Sequence, residues 1–173
     1  MTTTDRSNPD VPLTHADPAE HRRLLAIKAN SVGVEIGKVT PTATFATVGD
    51  VSPSYTTQSG DYWRYGILMH FSFYILVTLT FSTASGALQI GGLPYECDSG
   101  GISHSFPVRL VATNITFPSG YTQAIGYIGA GNSYANIFLT GSTKAGADLS
   151  ASDITSGTSI GIYGTGLYPI AQQ

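Results

Sequence analysis

Side chains able to do chemistry are few and scattered along the 173 residues. Glu96 and Asp98 could contact a cation or act as a carboxylate pair, but two acids this close in sequence more commonly lie in a solvated turn. The histidines match no zinc-ligand spacing, so we interpret them as hydrogen-bonded surface residues. They are His15, His21, His70 and His104. The sequence therefore predicts no metal site.

The remaining candidates for catalysis or cofactor binding are equally weak. Cys97 is the single cysteine, which excludes an internal disulfide, and no histidine pattern accompanies it as a nucleophile would require. The segment GAGNSY at residues 129–134 lacks the third glycine of a dinucleotide-binding loop and opens no predicted helix. We expect no cofactor, no catalytic residue and no enzymatic activity.

Charged residues make up only 11% of the chain, against roughly 25% in an ordinary soluble domain. Disorder does not explain the deficit, because 42% of the residues are hydrophobic. Residues 39–173 carry three basic and six acidic side chains, a net charge of −3 with no basic stripe. This balance argues against nucleic-acid binding and leaves a Ser/Thr/Gly/Tyr surface that copies of the chain or neighbouring proteins can cover.

The N-terminal segment, residues 1–38, is predicted to be an extended arm followed by one short α-helix. Asp17 can cap the helix, Pro18 suits its first position, and Glu20 completes a capping-box pattern. The helix is too short to be stable alone in water, so it must dock, either on its own β-domain or on another protein or a bundle of identical helices. We favour docking on a partner and predict these anchoring residues: Arg22, Arg23, Leu24, Leu25, Ile27 and Lys28.

The strongest β signal is the apolar run at residues 66–82. Its odd positions, from Ile67 to Phe81, are all large and apolar, and its even positions are mostly polar or mixed. A two-residue period is typical of a long half-buried strand and argues against a membrane helix. The start of the chain is polar and lacks the apolar stretch of a signal peptide, so we expect synthesis in the cytoplasm.

Short apolar segments separated by turn residues continue from residue 83 to the end of the chain. Strands are predicted at 87–95, 106–112, 114–117, 122–129, 134–140, 158–163 and 167–170. This spacing without a second helical pattern predicts an antiparallel β-sandwich or jelly roll over residues 39–173. Glycines within these strands suggest bulges or close approach of backbones, as at an oligomer axis.

Tyrosines cluster in the last third of the chain. Such side chains offer amphipathic contact area at low entropy cost, so they could bind a sugar or a protein. They could equally lie at the sheet edge or at a subunit interface, which we favour. The candidates are Tyr121, Tyr127, Tyr134, Tyr163 and Tyr168.

Residues 60–95 contain a Gly-x-Tyr-x-Arg-x-Gly lead, a long alternating strand, and then Gly-Leu-Pro-Tyr at residues 92–95. This pattern resembles one in virion proteins of tailed phages. Residues 20–38, EHRRLLAIKANSVGVEIGK, are similar to the helix followed by Gly-Lys that opens short phage head and fibre proteins. The resemblance implies a homotrimer on the virion surface, attached by its N-terminal arm, and it carries over no catalytic residue.

Two functions fit these expectations. The first is a capsid decoration protein, of the cement or head-fibre type, that binds the major capsid or another virion protein through residues 1–38 and displays a β-knob. The alternative is a tail-fibre or receptor-binding tip that contacts host-surface glycans. A polysaccharide-cleaving enzyme is a distant third. None of these functions calls for nucleic acid or a membrane as a partner.

Overall fold

The computed structural model describes residues 34–111, 115–142 and 144–171. The chain divides into two compact units, residues 1–33 and residues 34–173. The predicted arm, the predicted helix and all six predicted anchoring residues, Arg22 to Lys28, lie outside the described residues. Their role stays a prediction.

The described residues are mainly β, as predicted. The strands are β1 Val34–Lys38, β2 Thr42–Thr47, β3 Ser52–Tyr65, β4 Leu68–Thr80, β5 Ser85–Gly91, β6 His104–Val111, β7 Gln123–Ile128, β8 Ala135–Thr140, β9 Ala147–Asp148 and β10 Thr158–Pro169. Within the described ranges the helical structure is a single 3₁₀ turn, Ala151–Asp153.

All strands pair antiparallel in one sheet, in the order β1-β3-β4-β10-β6-β7-β8-β5-β2, with β9 attached to β8. Strand β6 connects two halves of the sheet, one formed by β1, β3, β4 and β10 and the other by β7, β8, β5 and β2. Its residues 108–111 pair with β10, while residues 104–107 pair with β7. The sheet curls so that side chains from both halves enter one core. The predicted sandwich or jelly roll is not confirmed, because backbone hydrogen bonds join the strands of both halves into a single sheet.

Strand β4 confirms the predicted alternation. Its inward side chains at positions 69, 71, 73, 75, 77 and 79 are buried, while the side chains between them face outward. Ile67 departs from the pattern, since it lies with Gly66 in the turn before β4 and is 52% exposed. The buried residues of β4 face Phe45 of β2, Leu88 of β5 and Ile137 of β8 in the same core.

Glycines in β7 and β10 make room for aromatic rings of the core. A methyl group at Gly126 would come within 2.1 Å of the Phe106 ring, and one at Gly164 within 2.5 Å of the Phe73 ring. Because the rings lie directly over the backbone there, only a residue without a side chain fits. These strand glycines therefore have an explanation inside one chain, and the expectation of an oligomer axis is not needed for them.

Four of the described strands lie where none was predicted: β1, β2, β3 and the short β9. Strand β1 takes residues 34–38 from the segment that the sequence assigned to the arm and helix, and pairs along residues 61–65 of β3. Strand β3 pairs along the whole of β4 through a register shift between Tyr55 and Thr57. Predicted strands 158–163 and 167–170 are one continuous strand, β10, and within the predicted strand 114–117 the described residues contribute an isolated bridge, Ile115 to Ile154.

Candidate functional site

Large apolar side chains are exposed together on the outer side of β1, β3, β4 and β10, next to the β3–β4 turn. Exposure ranges from 41% for Leu68 to 78% for Ile36. We call this set the outer apolar face: Val34, Ile36, Trp63, Tyr65, Leu68 and Leu167.

Strand pairing places these residues in two adjacent rows. One row runs from Val34 through Tyr65 to Leu68. The next runs Ile36, Trp63, His70 and Leu167, one residue from each of four neighbouring strands. Directly paired residues project to the same side of a sheet, so the six side chains form one contiguous surface.

Trp63 and His70 stack at the centre of this face. Their ring centroids lie 3.7 Å apart with an interplanar angle of 15°. The Nε2 of His70 lies 3.2 Å from the Thr165 hydroxyl, while its Nδ1 is buried with no hydrogen-bond partner. Burial lowers the pKa of His70, because desolvation penalises the imidazolium. The face is therefore apolar to its centre near neutral pH.

Polar groups border the face on the side away from the turn. Lys38 Nζ donates to Asp61 Oδ1 at 2.5 Å, and both side chains are largely exposed. One row further, Tyr74 and Tyr163 stack with centroids 4.1 Å apart, and the Arg109 guanidinium lies 5.7 Å from the Tyr163 ring. The arrangement is an apolar centre beside a margin that holds one ion pair, two stacked tyrosines and the Arg109 guanidinium.

The opposite side of β1 is held by a carboxylate cluster around Glu35. Tyr62 donates to one carboxylate oxygen at 2.6 Å and Tyr95 to the other at 2.7 Å, while Arg64 Nε lies 3.4 Å away. The Tyr62 and Tyr95 hydrogen bonds lower the pKa of Glu35, and the Glu35 bond raises the pKa of Tyr62 to about 12. Tyr62, Arg64 and Tyr95 all belong to the 60–95 pattern, and here they fasten β1 to the sheet.

The five predicted tyrosines do not form one surface. Tyr163 lies in the margin of the outer apolar face, and Tyr127 lies on the outer side of β7, where it donates to Ser103 at 2.8 Å. Tyr121 donates to the Ala145 carbonyl at 2.9 Å. Tyr134 is half-buried just before β8.

Tyr168 is a correction to the predicted surface set. Its ring is 1% exposed in the core, its hydroxyl donates to the Tyr95 carbonyl at 2.8 Å, and burial raises its pKa. Tyr168 lies at an inward position of β10, because it is an even number of residues from the buried Ile160 and Ile162. The side chain is unavailable to a ligand or a partner.

The residues considered for catalysis or metal binding do not assemble into a site within the described part of the chain. Cys97 is buried, and burial together with Asp98 raises the pKa of its thiol, while Glu96 and Asp98 are exposed. Among the described residues, no group of three or more His, Cys, Asp or Glu side chains could hold a metal ion. The same residues contain no helix long and apolar enough to cross a membrane.

A cleft of about 450 Å³ opens where β6 leaves β7 to pair with β10. Val108, Leu110, Phe117 and Ala124 give it an apolar lining, and Gln123 adds an amide. The cleft lacks an ionisable side chain among its lining residues. It can accept an apolar group but offers nothing for acid–base or nucleophilic chemistry.

Sequence reasoning missed the outer apolar face. The missing signal was Ile36 and Val34 alternating with Glu35, and Trp63 and Tyr65 alternating with Tyr62 and Arg64, which is a strand pattern at period two. Without knowing that β1 and β3 pair with β4, the two short patterns did not suggest a common surface.

Comparison with known proteins found a similar fold in one phage protein. No protein-family model and no curated protein matches the sequence. Among solved structures, the chain is similar to the crystal structure of the Dettilon tailspike protein gp208, with a TM-score of 0.54 and 21% sequence identity. The match covers 79% of this chain and 24% of the tailspike chain, so this chain spans well under half the length of that protein. The likeness is one of fold.

Proposed function

We propose that the chain is a non-enzymatic structural protein of a tailed-phage virion, exposed on the particle and associated with the tail. The observation that carries this proposal is the fold likeness to a tailspike protein over 79% of the chain. It agrees with the resemblance of residues 60–95 to virion proteins, which was drawn from sequence alone. In the structure those residues are β3, β4 and β5 with their turns.

Tail association replaces capsid decoration as our first choice because the similar structure is a tailspike. Capsid decoration is the second candidate, and it depends on the resemblance of residues 20–38 to short phage head and fibre proteins. Both functions need a partner on the particle, and Arg22 to Lys28 are the proposed contacts. Host-surface glycans are a further proposed partner, with Tyr127 as an exposed aromatic candidate.

A structural role is supported by where the reactive groups lie. The one thiol is enclosed in the core, and the two acids beside it in sequence, Glu96 and Asp98, are exposed. The most elaborate polar cluster, around Glu35, has its hydrogen bonds directed within the fold and connects three segments of chain. Such a cluster stabilises a surface protein without performing a reaction.

Immunogold labelling of purified particles tests this proposal. Antibody raised against the purified chain is expected to label the tail end of the virions of the phage that encodes it. Label distributed over the head, with hundreds of copies per particle on a stained gel, would instead support capsid decoration. Absence of the chain from washed particles would contradict both.

A further inference from the structure

The outer apolar face is more apolar than the solvated surface of a sheet ordinarily is. An antiparallel sheet with one face on a core ordinarily shows polar residues on the other. Here six large side chains lie outward in two paired rows, and Trp63 and Tyr65 are 48% and 57% exposed. Contiguous apolar patches of this kind mark interaction sites.

We propose that the outer apolar face is an interface covered by another copy of this chain. Self-association through this face does not depend on the virion function proposed above. It follows from the chemistry of the face and from its size.

Charge favours a copy of the chain over a charged partner. The two ionised side chains that border the rows directly, Lys38 and Asp61, are paired with each other at 2.5 Å, so the six-residue face and this border carry no net charge. Two copies can therefore approach through it although the whole chain carries −3. A nucleic acid or a strongly charged peptide would meet one cation there, Arg109 beside the Tyr163 ring in the margin.

Size sets how much of the surface the second copy must cover. With strands about 4.8 Å apart and outward side chains about 6.6 Å apart along each strand, the six side chains cover roughly 200 Å². A stable interface buries about 800 Å² on each partner. The contact must therefore extend over the Lys38–Asp61 pair and the Tyr74–Tyr163 stack, which gives the apolar centre and polar rim that interfaces show.

A closed symmetric assembly of identical chains can be built on this face. In a ring with two or three copies, the same face of every copy turns toward the rotation axis. Trp63 and Tyr65 would then be buried near the axis, and these two residue types contribute most often to binding hot spots. One apolar face on each copy is then sufficient for a symmetric contact.

Sedimentation equilibrium of the full-length chain, with Trp63 fluorescence as a second readout, tests the inference. Trp63 is the only tryptophan, so its emission reports this face alone. The wild-type chain is expected to be oligomeric at micromolar concentration, with blue-shifted emission and poor quenching by acrylamide. Dilution to the monomer should shift the emission to the red and increase the quenching.

Variants on the face should break the assembly. Leu167→Glu, at the β10 end of a row and next to His70, is expected to raise the dissociation constant at least about 100-fold, because it places an unpaired charge in the contact. Ile36→Lys, at a position already 78% exposed, repeats the test with little risk to folding. Ser105→Glu, exposed on β6 in the other half of the sheet, is the matched control and should leave the mass unchanged.

Circular dichroism melts show whether each variant is folded. A wild-type chain that is monomeric at about 100 μM, an oligomer that persists in folded Leu167→Glu and Ile36→Lys, or equal quenching of Trp63 in monomer and oligomer would each overturn the proposal.

Discussion

The two halves of the sheet share one core but present different outer surfaces. Outside β2, β5 and β8, a paired row of Thr44, Gln89 and Asn136 is polar, and Gln89 Nε2 donates to Asn136 Oδ1 at 3.1 Å. Outside β1, β3 and β4, the corresponding positions are Ile36, Trp63 and His70. We refer to the first row as the outer polar face.

The difference teaches that the core does not dictate the outer surface. Both halves bury the same kind of side chain inward, so both outer faces were free to be polar as far as folding is concerned. Apolar residues left 41% to 78% exposed stabilise the fold little and reduce solubility. Their clustering in two paired rows on one half points to a contact made after folding.

The largest expected effect separates the inner and outer sides of the same sheet. Phe71→Ala on β4 removes a fully buried ring that packs against Phe106 and Tyr168, with centroids 5.0 Å and 5.7 Å away. It should lower the free energy of unfolding by about 4 kcal/mol. Trp63→Ala on the outer apolar face should cost the monomer only about 1 kcal/mol.

Urea unfolding at a concentration low enough to keep the chain monomeric measures both losses. Equal losses would mean that Trp63 is part of the fold's own packing, and the contrast between an inner core and an outer contact surface would disappear.

A second contrast lies along β10. Gly164→Ala would bring a methyl within 2.5 Å of the Phe73 ring, and the resulting overpacking should cost about 2 kcal/mol. Gly161→Ala on the same strand is the control, because its methyl would meet Val111 at an ordinary 3.4 Å and should change stability by less than about 0.5 kcal/mol. Thermal melts of the two variants would show equal shifts if the aromatic rings can move aside.

The third contrast is between the two sides of β1. Glu35→Gln keeps the shape of the side chain but weakens the bonds from Tyr62 and Tyr95, and it should cost less than about 1 kcal/mol, since Glu35 is partly exposed and solvent screens the interaction. The wild-type contribution is present above the ordinary carboxyl pKa and is lost as the pH falls through the lowered pKa of Glu35.

Ile36→Thr, on the other side of β1, keeps Glu35, so the stability of its monomer should stay close to that of the wild type and show the same pH dependence between pH 3 and 7. Urea titrations across this range compare the two variants. A wild-type stability that does not fall in acid any faster than that of Glu35→Gln would show that the carboxylate cluster does not hold β1.

Those parts of the fold that burial determines could be predicted from the sequence. Strand β4 could be predicted because its buried positions alternate strictly, and β7 and β8 could be predicted because glycine turns bound them. Strand β3 could not be found this way, since SPSYTTQSGDYWRY buries little and is a strand because its backbone pairs with β4 over 13 residue pairs. Hydrogen bonding to a neighbour leaves no apolar period in the sequence.

The candidate site was harder to predict for the same reason. Its rows join residues 36, 63, 70 and 167, which only the sheet register brings together. Tyr168 was assigned to a surface because tyrosine often lies at one, yet its inward position on β10 buries it. Composition indicated that part of the surface would be covered, but not which part.

The smallest expected effect concerns His70, which lies within the apolar row. The outer polar face has Gln89 and Asn136 in its row, and neither side chain titrates. Burial holds the pKa of His70 in the fold below its ordinary value of 6.5, so below about pH 6.5 the unfolded chain binds more protons than the folded chain. Folding stability should therefore decline slightly as the pH falls from 6.5, and His70→Gln should remove that part of the slope.

A second copy over the face would bury His70 further and deepen this dependence. Self-association should then weaken over the same pH range in the wild type and not in His70→Gln, as measured by sedimentation at pH 7 and pH 5.5. A wild-type dissociation constant that is the same at both values would mean that His70 is not covered. The contact would then have to lie closer to Val34 and Tyr65, at the β3–β4 turn.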